Sequence, residues 1–357
     1  MTKVAILNDT HAGARQSSTI FIDYQARFYT DVFFPYLIEN GITDILHLGD
    51  YYEHRKFVNF KVLNANRTHF LDKLRKHNIT MHIIPGNHDV YYRNTNELNS
   101  LDELMIGYDD CVNIHNDVVE LSFGENDKRV LFLPWINDQN EAYTMKRVEA
   151  STAEICAGHF EFAGFEMYKG AICHHGASRA AFAKFEAVYS GHYHTKSSMD
   201  NIHYLGSQME FTWSDCDDPK FFHVLDLETG ELEAVRNPHT LFQKVTYNDQ
   251  EFDYDNFDYS IFDHQFIKII VAKKTDLSTF DKFIDNVQLR KIYDLKIVED
   301  FDHLEASSDD VDENTKFEET TDLIDQYVDN ADTLLDKELL KSQLQALYRE
   351  ALNQEVI

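Results

Sequence analysis

The fold is decided by three short stretches, VAILNDTH at 4–11, DILHLGD at 44–50 and MHIIPGNHD at 81–89. In each, a short apolar run is followed by Asp, Asn or His. The runs predict buried strands, and the intervening 24–39 and 59–77 carry the apolar periodicity of helices. This alternation predicts a mostly parallel sheet with helices packed on it. In such sheets sites form where the strands end.

Later apolar runs predict a second sheet packed face to face on the first. The last of them, FFHVLDLETGELEAV at 221–235, contains ETGE between two alternating runs and predicts a hairpin. The other runs are VVELSF (118–123), RVLFLPW (129–135), AEICAGHF (153–160), AVYSGHYH (187–194) and IHYLGS (202–207).

The C-terminal third predicts three further parts. Strand, helix and strand patterns at 265–274, 277–289 and 293–299 predict a small separate unit. An acidic stretch with few apolar residues follows and predicts a flexible linker. Two amphipathic helices are expected at 320–331 and 336–353, where they would either cap the chain's own core or dock on a partner. The expected domains are 1–238, a smaller unit at 239–298, a linker at 299–319 and a helical tail at 320–357.

Composition excludes several classes of protein. With 43% apolar and 13% aromatic residues, the 357-residue chain is not wholly disordered. Its four cysteines form no CxxC pair, which argues against a disulfide framework or a thiolate zinc site. No apolar run approaches the roughly 20 residues of a membrane span, and the N-terminus lacks a signal-peptide core. We therefore expect a soluble cytoplasmic protein, in the host cytoplasm if a phage encodes it, with no membrane partner.

The charge distribution permits a nucleic-acid ligand despite a net charge of −29. Residues 299–357 hold 18 Asp and Glu against 4 Lys and Arg, which concentrates the negative charge at one end. Residues 55–77 instead hold seven Lys and Arg and one Asp. This basic stretch predicts a DNA contact or, equally, an ordinary solvated helix face. The candidate contacts are Arg55, Lys56, Lys61, Arg67 and Arg93.

Oxygen and imidazole donors follow at least five predicted strands. A site for two divalent ions needs such a mixture of carboxylates, neutral imidazoles and an amide oxygen. The D-x-H and H-x-H spacings would place both side chains on one face of an extended segment, and glycines before several donors would permit sharp turns. His174 and His175 are a rival pair that could replace His159. The candidate donors are Asp9, His11, Asp50, Asn87, His159, His192 and His194.

The series D-x-H, G-D, G-N-H-D, G-H and G-H-x-H resembles the calcineurin-like metallophosphoesterases. More narrowly, the chain resembles the SbcD-type double-strand-break repair nucleases, and most of all the recombination endonuclease subunits of large tailed phages. The resemblance implies a four-layer α/β/β/α sandwich with a small α/β capping domain at 239–298. It also implies that Asp9, His11, Asp50 and His194 hold one metal ion. Asp50 would be shared with a second, held also by Asn87, His159 and His192.

The resemblance further implies catalytic roles. His88 would act on the scissile phosphate without binding metal, and Asp89 would orient it. The family usually continues G-D with two apolar residues and then Asp or His, whereas this chain has Tyr51-Tyr52-Glu53-His54. Either Glu53 or His54 could therefore support the metal ligands. The implied cofactor is a pair of divalent ions, manganese first and magnesium as the alternative.

The implied activity is a metal-dependent DNA nuclease, an exonuclease on duplex ends and an endonuclease on single strands, in recombination and double-strand-break repair. The implied partners are DNA, a second copy through helices near 59–77 and 96–106, and a coiled-coil SMC-like ATPase that docks on the terminal helices. No P-loop occurs, so ATP hydrolysis would belong to another chain. The alternatives are a phosphatase or small-phosphodiester hydrolase on the same scaffold, and a non-catalytic adaptor for the ATPase.

Overall fold

A computed structural model gives the fold. It describes residues 3–299 except 125–126, 169–170 and 174–175, and beyond Glu299 only Val328, Lys337, Leu340, Lys341, Gln343 and Leu344. The strands are, in chain order, β1 (Lys3–Leu7), β2 (Asp44–His47), β3 (Thr80–Ile83), β4 (Val112–Ile114), β5 (Val119–Phe123), β6 (Lys128–Leu133), β7 (Ile155–Gly158), β8 (Glu166–Tyr168), β9 (Ala171–Ile172), β10 (Ala187–Ser190), β11 (Ser197–Met199), β12 (Ile202–Tyr204), β13 (Phe221–Asp226), β14 (Leu232–Arg236), β15 (Phe242–Asn248), β16 (Phe266–Lys273) and β17 (Asp294–Val298).

The first two predicted helices are each continuous through a π-helical turn, at Tyr29–Phe33 and at Arg67–Leu71. The first begins at Thr19, before the expected start at 24, because Phe21 extends its buried stripe by one turn. The α-helices are α1 (Thr19–Phe28), α2 (Phe34–Glu39), α3 (Phe60–Asn66), α4 (Asp72–His77), α5 (Ser100–Leu104), α6 (Glu141–Ala150) and α7 (Leu277–Gln288), with a one-turn segment at Ala14–Ser17.

Two six-stranded sheets form the body of the fold, in the orders β14-β13-β1-β2-β3-β4 and β11-β12-β10-β7-β6-β5. Strands β1 to β4 are parallel, as predicted. The predicted hairpin of β13 and β14 is present, but it joins the first sheet antiparallel to β1. Its expected place in the second sheet was wrong. Phe222, Val224 and Leu225 are buried on both faces of β13, so the strand needs a central position beside β1.

The apolar side chains divide into layers. Ile6 and Leu46 of the first sheet meet Phe132 and Tyr189 of the second between the two sheets. On the outer face of the first sheet, Ile45 packs with helix residues that include Phe28, Phe33 and Phe70. The outer face of the second sheet packs with Val148 of α6 and with Phe182. This is the four-layer α/β/β/α sandwich predicted above.

A separate three-stranded parallel sheet, β15-β16-β17, follows with α7 packed on it. Phe280, Phe283 and Val287 of α7 contact a core around Tyr247 and Ile267. Strand β15 was not predicted, because Gln243, Lys244 and Thr246 interrupt its apolar residues. The boundary expected at 238/239 stays a prediction.

The remaining chain is a second unit, Asp300–Ile357, distinct from the compact unit Met1–Glu299. The predicted linker at 299–319 lies outside the described residues apart from Glu299. So do the predicted helices at 320–331 and 336–353 apart from six residues, all of them helical. Among the helices that the structure describes, none is both long and apolar enough to cross a membrane.

Candidate metal centre

The carboxyl ends of strands from both sheets bring the predicted donors to one edge. Four donors have left-handed backbone angles at these ends, with φ of +48° at Asp9, +43° at His11, +52° at Asp50 and +88° at His192. Such conformations cost about 1–3 kcal/mol each and concentrate at functional sites. Asp9 and His11 therefore both have left-handed backbone conformations, and our prediction of an extended segment was wrong.

Gly49 and Gly86, which precede the donors Asp50 and Asn87, are each required to be glycine for a different structural reason. Gly49 has a φ of +91°, which supports the sharp turn expected after β2. Gly86 does not have a left-handed φ, but a Cβ there would collide with the carboxylate of Asp50. Close approach of the loop after β3 to the loop after β2 thus requires Gly86.

Asp9, His11 and His194 form the first cluster, with their potential ligand atoms all within 4.8 Å of one another. The Nε2 atoms of His11 and His194 lie 3.0 Å apart. The buried Asp9 carboxylate accepts the backbone N–H of His192 at 3.0 Å. Behind His194, the buried ammonium of Lys220 donates to the His194 carbonyl oxygen at 3.0 Å and fixes the main chain there.

Asp50, His159 and His192 form the second cluster, again with ligand atoms within 4.8 Å. Asn87 belongs with them, because its Oδ1 is 2.9 Å from His159 Nε2 and 3.1 Å from His192 Nδ1. The structure therefore brings together all seven predicted donors. His192 and His194 lie in different clusters, so the H-x-H spacing does not place both at one ion.

Asp50 lies between the clusters. Its Oδ2 is 3.3 Å from His159 Nε2 in the second cluster and 3.9 Å from His11 Nε2 in the first. Its Oδ1 accepts the backbone N–H of His88 at 2.8 Å, which fixes the carboxylate. This geometry suits a carboxylate shared by two ions.

The donor set fits divalent cations. His159 Nδ1 donates to the Leu48 carbonyl oxygen at 2.7 Å, so Nε2 of the neutral ring carries a lone pair. That lone pair faces the Asn87 and Asp50 oxygens, and three converging acceptors require a cation or a proton. Burial lowers the pKa of His159, but the charge of Asp50 outweighs it and raises the pKa to about 9. Burial raises the pKa of Asp50, but the nearby His159 and His88 outweigh it and hold the pKa well below its usual range.

His88 lies beside the first cluster, with its ring centroid 4.9 Å from that of His11. Its Nδ1 hydrogen-bonds the Glu53 carbonyl oxygen at 2.8 Å. Asp89, expected to orient this ring, instead accepts backbone N–H groups of Tyr51, Tyr52 and Gly86. The carboxylate of Asp89 therefore joins the loops after β2 and β3, and the contact that orients His88 is the Glu53 carbonyl.

Glu53 also supports a metal-ligand candidate directly. Its Oε2 lies 2.8 Å from His11 Nδ1, while the other ring nitrogen of His11 faces His194 and Asp50. A carboxylate behind a histidine fixes the ring orientation and raises its basicity. His54 instead stacks on Phe57 with ring centroids 4.6 Å apart. Of the two alternatives left open by the sequence, the geometry favours Glu53.

Comparison with known proteins identifies the fold family. Residues 2–196, more than half of the chain, match the family model described as calcineurin-like phosphoesterase. The chain belongs to the calcineurin-like phosphoesterases. The predicted family and the predicted enzyme class, a metal-dependent phosphoesterase, are thereby confirmed.

The phosphoesterase is also similar to individual proteins. It is 27% identical over 353 residues to exonuclease subunit 1 of Enterobacteria phage T4, which covers 98% of this chain and 99% of the relative. Two solved structures show a weaker likeness. An archaeal phosphodiesterase is 13% identical, and the match covers 66% of this chain and 99% of that chain with a TM-score of 0.33. A dimetal phosphatase from Danio rerio is 11% identical, and the match covers 67% of this chain and 96% of that chain with a TM-score of 0.39.

Sequence reasoning missed Trp135 of the phosphoesterase. Its ring centroid lies 5.8 Å from that of His159 and 5.6 Å from that of His192. Its position just beyond β6 was the available signal, because the residues that follow neighbouring strands meet at the same edge. An aromatic residue offers no metal ligand, so the pattern of donors does not include it. His174 and His175, the rival pair for His159, lie outside the described residues.

Four of the five predicted basic contacts lie on or just before the helix after β2, and Arg93 follows β3. Lys56, Lys61 and Arg67 are exposed, and Arg55 and Arg93 are half-buried. The same helix leaves Phe60 87% exposed, although its periodicity placed Phe60 on the apolar face. Asn59 caps the helix immediately before Phe60, so that ring projects beyond the packed turns.

Part of the surface near 96–106 that was predicted to bind a second copy is buried within the chain itself. Leu101 and Met105, expected to supply apolar surface near 96–106, are buried in the core. Leu98 is 37% and Ile106 73% exposed. The helix there is also short, at Ser100–Leu104.

Proposed function

We propose that this calcineurin-like phosphoesterase is a nuclease that hydrolyses phosphodiester bonds in DNA with two divalent metal ions. The observation that carries the proposal is the position of the Asp50 carboxylate between two donor clusters, in a chain that is similar along nearly its whole length to a phage exonuclease subunit. We propose exonuclease activity on duplex ends and endonuclease activity on single strands, in recombination and double-strand-break repair.

The proposed ligands are the seven clustered donors. Asp9, His11 and His194 hold one ion, Asn87, His159 and His192 hold the other, and Asp50 is shared. Oxygen and imidazole ligands without thiolates suit manganese, and magnesium is the alternative. When bound, two such ions activate a water molecule and neutralise charge on the phosphate.

His88 is the proposed general acid. Because the Glu53 carbonyl can only accept, Nδ1 of His88 carries the proton of that hydrogen bond, which fixes the orientation of the ring. Protonated Nε2 donates to the departing oxygen, a contribution of about 10²–10⁴-fold in typical enzymes. The backbone N–H of His88 meanwhile holds Asp50, so one residue fixes the shared carboxylate and serves the leaving group.

The proposed partners are DNA, a second copy and an ATPase. Exposed Lys56, Lys61 and Arg67 would contact the DNA backbone, together with half-buried Arg55 and Arg93. The second copy would associate through helices near 59–77 and 96–106, where Phe60 and Ile106 are exposed. The similar phage protein is named as a subunit, which supports a partner chain of a different kind. We propose that this is a coiled-coil SMC-like ATPase that docks on the tail at 320–357, in the cytoplasm of the host.

Cleavage of DNA by the purified chain tests the proposal. End-labelled linear duplex and circular single-stranded DNA are incubated with manganese, with magnesium and with a chelator, beside an aryl phosphodiester. We expect metal-dependent cleavage of both DNAs, lost with the chelator. Turnover of the small diester with no DNA cleavage, alone or with the ATPase added, would contradict the nuclease and favour a small-phosphodiester hydrolase.

A further inference from the structure

Trp135 lies at the metal centre, but the chemistry proposed above does not use it. Its ring contacts the rings of His159 and His192, both in the second cluster. The side chain is half-buried, so part of the indole faces solvent beside the proposed ligands. The contact of this ring with two metal-ligand candidates needs an explanation beyond core packing.

Three hydrogen bonds hold the main chain of Trp135. Its N–H donates to the Pro85 carbonyl oxygen at 2.9 Å, just before the loop that carries Asn87. Its carbonyl oxygen accepts from Asn96 Nδ2 at 3.0 Å and from Asn140 Nδ2 at 2.9 Å. Three segments therefore fix the main chain of Trp135 beside the second cluster, as a rigid binding surface requires.

The other tryptophan shows what a purely structural indole looks like here. Lys268 Nζ lies 4.3 Å from the centroid of the Trp213 ring, and the ring of Phe242 lies 4.9 Å from it. Trp213 thus joins the loop before β13 to the sheet of β15 and β16. Trp135 instead has its ring contacts with two metal-ligand candidates.

A nucleobase is the group that a nuclease substrate would bring to this surface. The base is tethered through its sugar to the phosphate, and a phosphate at the second cluster places an adjacent base within reach of Trp135. Bases of every sequence stack on aromatic rings, which gives affinity without sequence preference. An inorganic phosphate or an alkyl phosphomonoester has no ring to stack.

We propose that Trp135 is the stacking platform for a nucleobase next to the scissile phosphate, and that it makes nucleic acid the preferred substrate over small phosphate esters. This inference rests on the proposed nuclease function. It assigns substrate selection to an aromatic residue beside the second cluster. The stacked base must be unpaired from the complementary strand, as in a single strand or at a frayed duplex end. Single strands and duplex ends are therefore the substrates that the platform favours.

Kinetics on three variants test the platform. We expect Trp135→Ala to raise the KM for single-stranded DNA about 10- to 100-fold with little change in kcat, since stacking contributes about that much per base. Trp135→Phe should recover most of the loss because it keeps a ring. Tyr143→Ala removes another exposed aromatic side chain, on α6, and is the matched control with wild-type kinetics. Metal content by elemental analysis accompanies each variant.

Fluorescence gives a readout that does not depend on turnover. The chain has two tryptophans, so Trp213→Phe leaves Trp135 as the only indole. Addition of a short single-stranded oligonucleotide to this protein in a chelator should quench its emission, and addition of inorganic phosphate should not. The reverse variant, Trp135→Phe with Trp213 kept, should show no such quenching.

The outcomes separate this inference from the proposed function. If the wild type cleaves no DNA, the nuclease proposal fails and the platform with it. If the wild type cleaves DNA while Trp135→Ala keeps the wild-type KM and the oligonucleotide leaves Trp135 emission unchanged, the platform alone is wrong. Loss of metal in Trp135→Ala without quenching in the single-tryptophan protein would also overturn it, because the indole would then only support His159 and His192.

Discussion

Asp50 lies between the two donor clusters, which are supported in different ways. Charged groups support the first: Glu53 lies 2.8 Å from His11, and the Lys220 ammonium is bonded to the His194 carbonyl. In the second, the Leu48 carbonyl oxygen accepts from His159, the Trp135 ring lies against both histidines, and Glu161 Oε2 lies 3.9 Å from His192 Nε2. A carboxylate therefore lies at hydrogen-bonding distance from a histidine of the first cluster, whereas the carboxylate beside the second lies farther away.

Replacement of Asp50 should disrupt both clusters, however differently their histidines are supported. We expect Asp50→Ala to lose both ions and all measurable cleavage, because the carboxylate faces His11 and His159 alike and accepts the N–H of His88. Elemental analysis and the DNA assay measure the two losses. Asp23→Ala, an exposed carboxylate on α1, is the control. Retention of one tightly held ion by Asp50→Ala would show that the carboxylate is not shared.

Removal of His88 should leave both clusters intact. Its side chain is assigned to the leaving group, so we expect His88→Ala to keep two ions and to lose about 10²–10⁴-fold in kcat. His203→Ala, a histidine on β12 outside the clusters, is the control. Loss of metal in His88→Ala would make it a ligand and overturn the proposed role.

The sequence predicted the donors because the strand ends are visible as apolar runs that stop at Asp, Asn or His. It could not predict how Asp9 and His11 converge, because a left-handed φ at a non-glycine residue leaves no mark in spacing. The supporting contacts were equally hidden. Lys220 lies 26 residues beyond His194 in the chain and meets it only through the tertiary fold. The hairpin of β13 and β14 was assigned to the wrong sheet because periodicity identifies strands, not their neighbours.

Loss of the Glu53 carboxylate should weaken only the first cluster. We expect Glu53→Gln to lower the affinity for one of two manganese ions about 10- to 100-fold, the usual effect of removing a carboxylate behind a ligating histidine. Burial lowers the pKa of His11, but the charge of Glu53 outweighs it and raises the pKa, so the pair is electrostatically coupled. Isothermal titration with manganese measures both affinities.

His54→Ala is the matched control for that titration, since His54 stacks on Phe57 and not on a ligand candidate. We expect its two manganese affinities to equal those of the wild type. Equal effects of Glu53→Gln and His54→Ala would contradict the assignment of Glu53.

A smaller effect concerns stability on the side of the first cluster. Phe211 packs on the rings of His11 and His194, and its neighbour Glu210 accepts the backbone N–H groups of Leu241 and Phe242. Burial raises the pKa of Glu210 to about 7. Because the folded-state pKa is the higher one, its contribution to stability is full below the usual pKa of Glu and is lost as pH rises through 7.

We therefore expect Glu210→Gln to remove this pH dependence. Between pH 5 and pH 8 the wild type should lose about 1–3 kcal/mol of unfolding free energy relative to Glu210→Gln, measured by urea denaturation in a chelator. Glu231→Gln, an exposed residue, should follow the wild type at both pH values. Parallel pH profiles of the wild type and Glu210→Gln would contradict the raised pKa.

Electron paramagnetic resonance of the manganese-loaded protein tests most directly whether two ions share Asp50. At two equivalents of manganese we predict an exchange-coupled spectrum, since one carboxylate oxygen faces both clusters. His194→Ala, which removes a donor of the first cluster alone, should convert it to the signal of isolated ions. An uncoupled six-line spectrum from the wild type with both ions bound would contradict the shared-carboxylate centre.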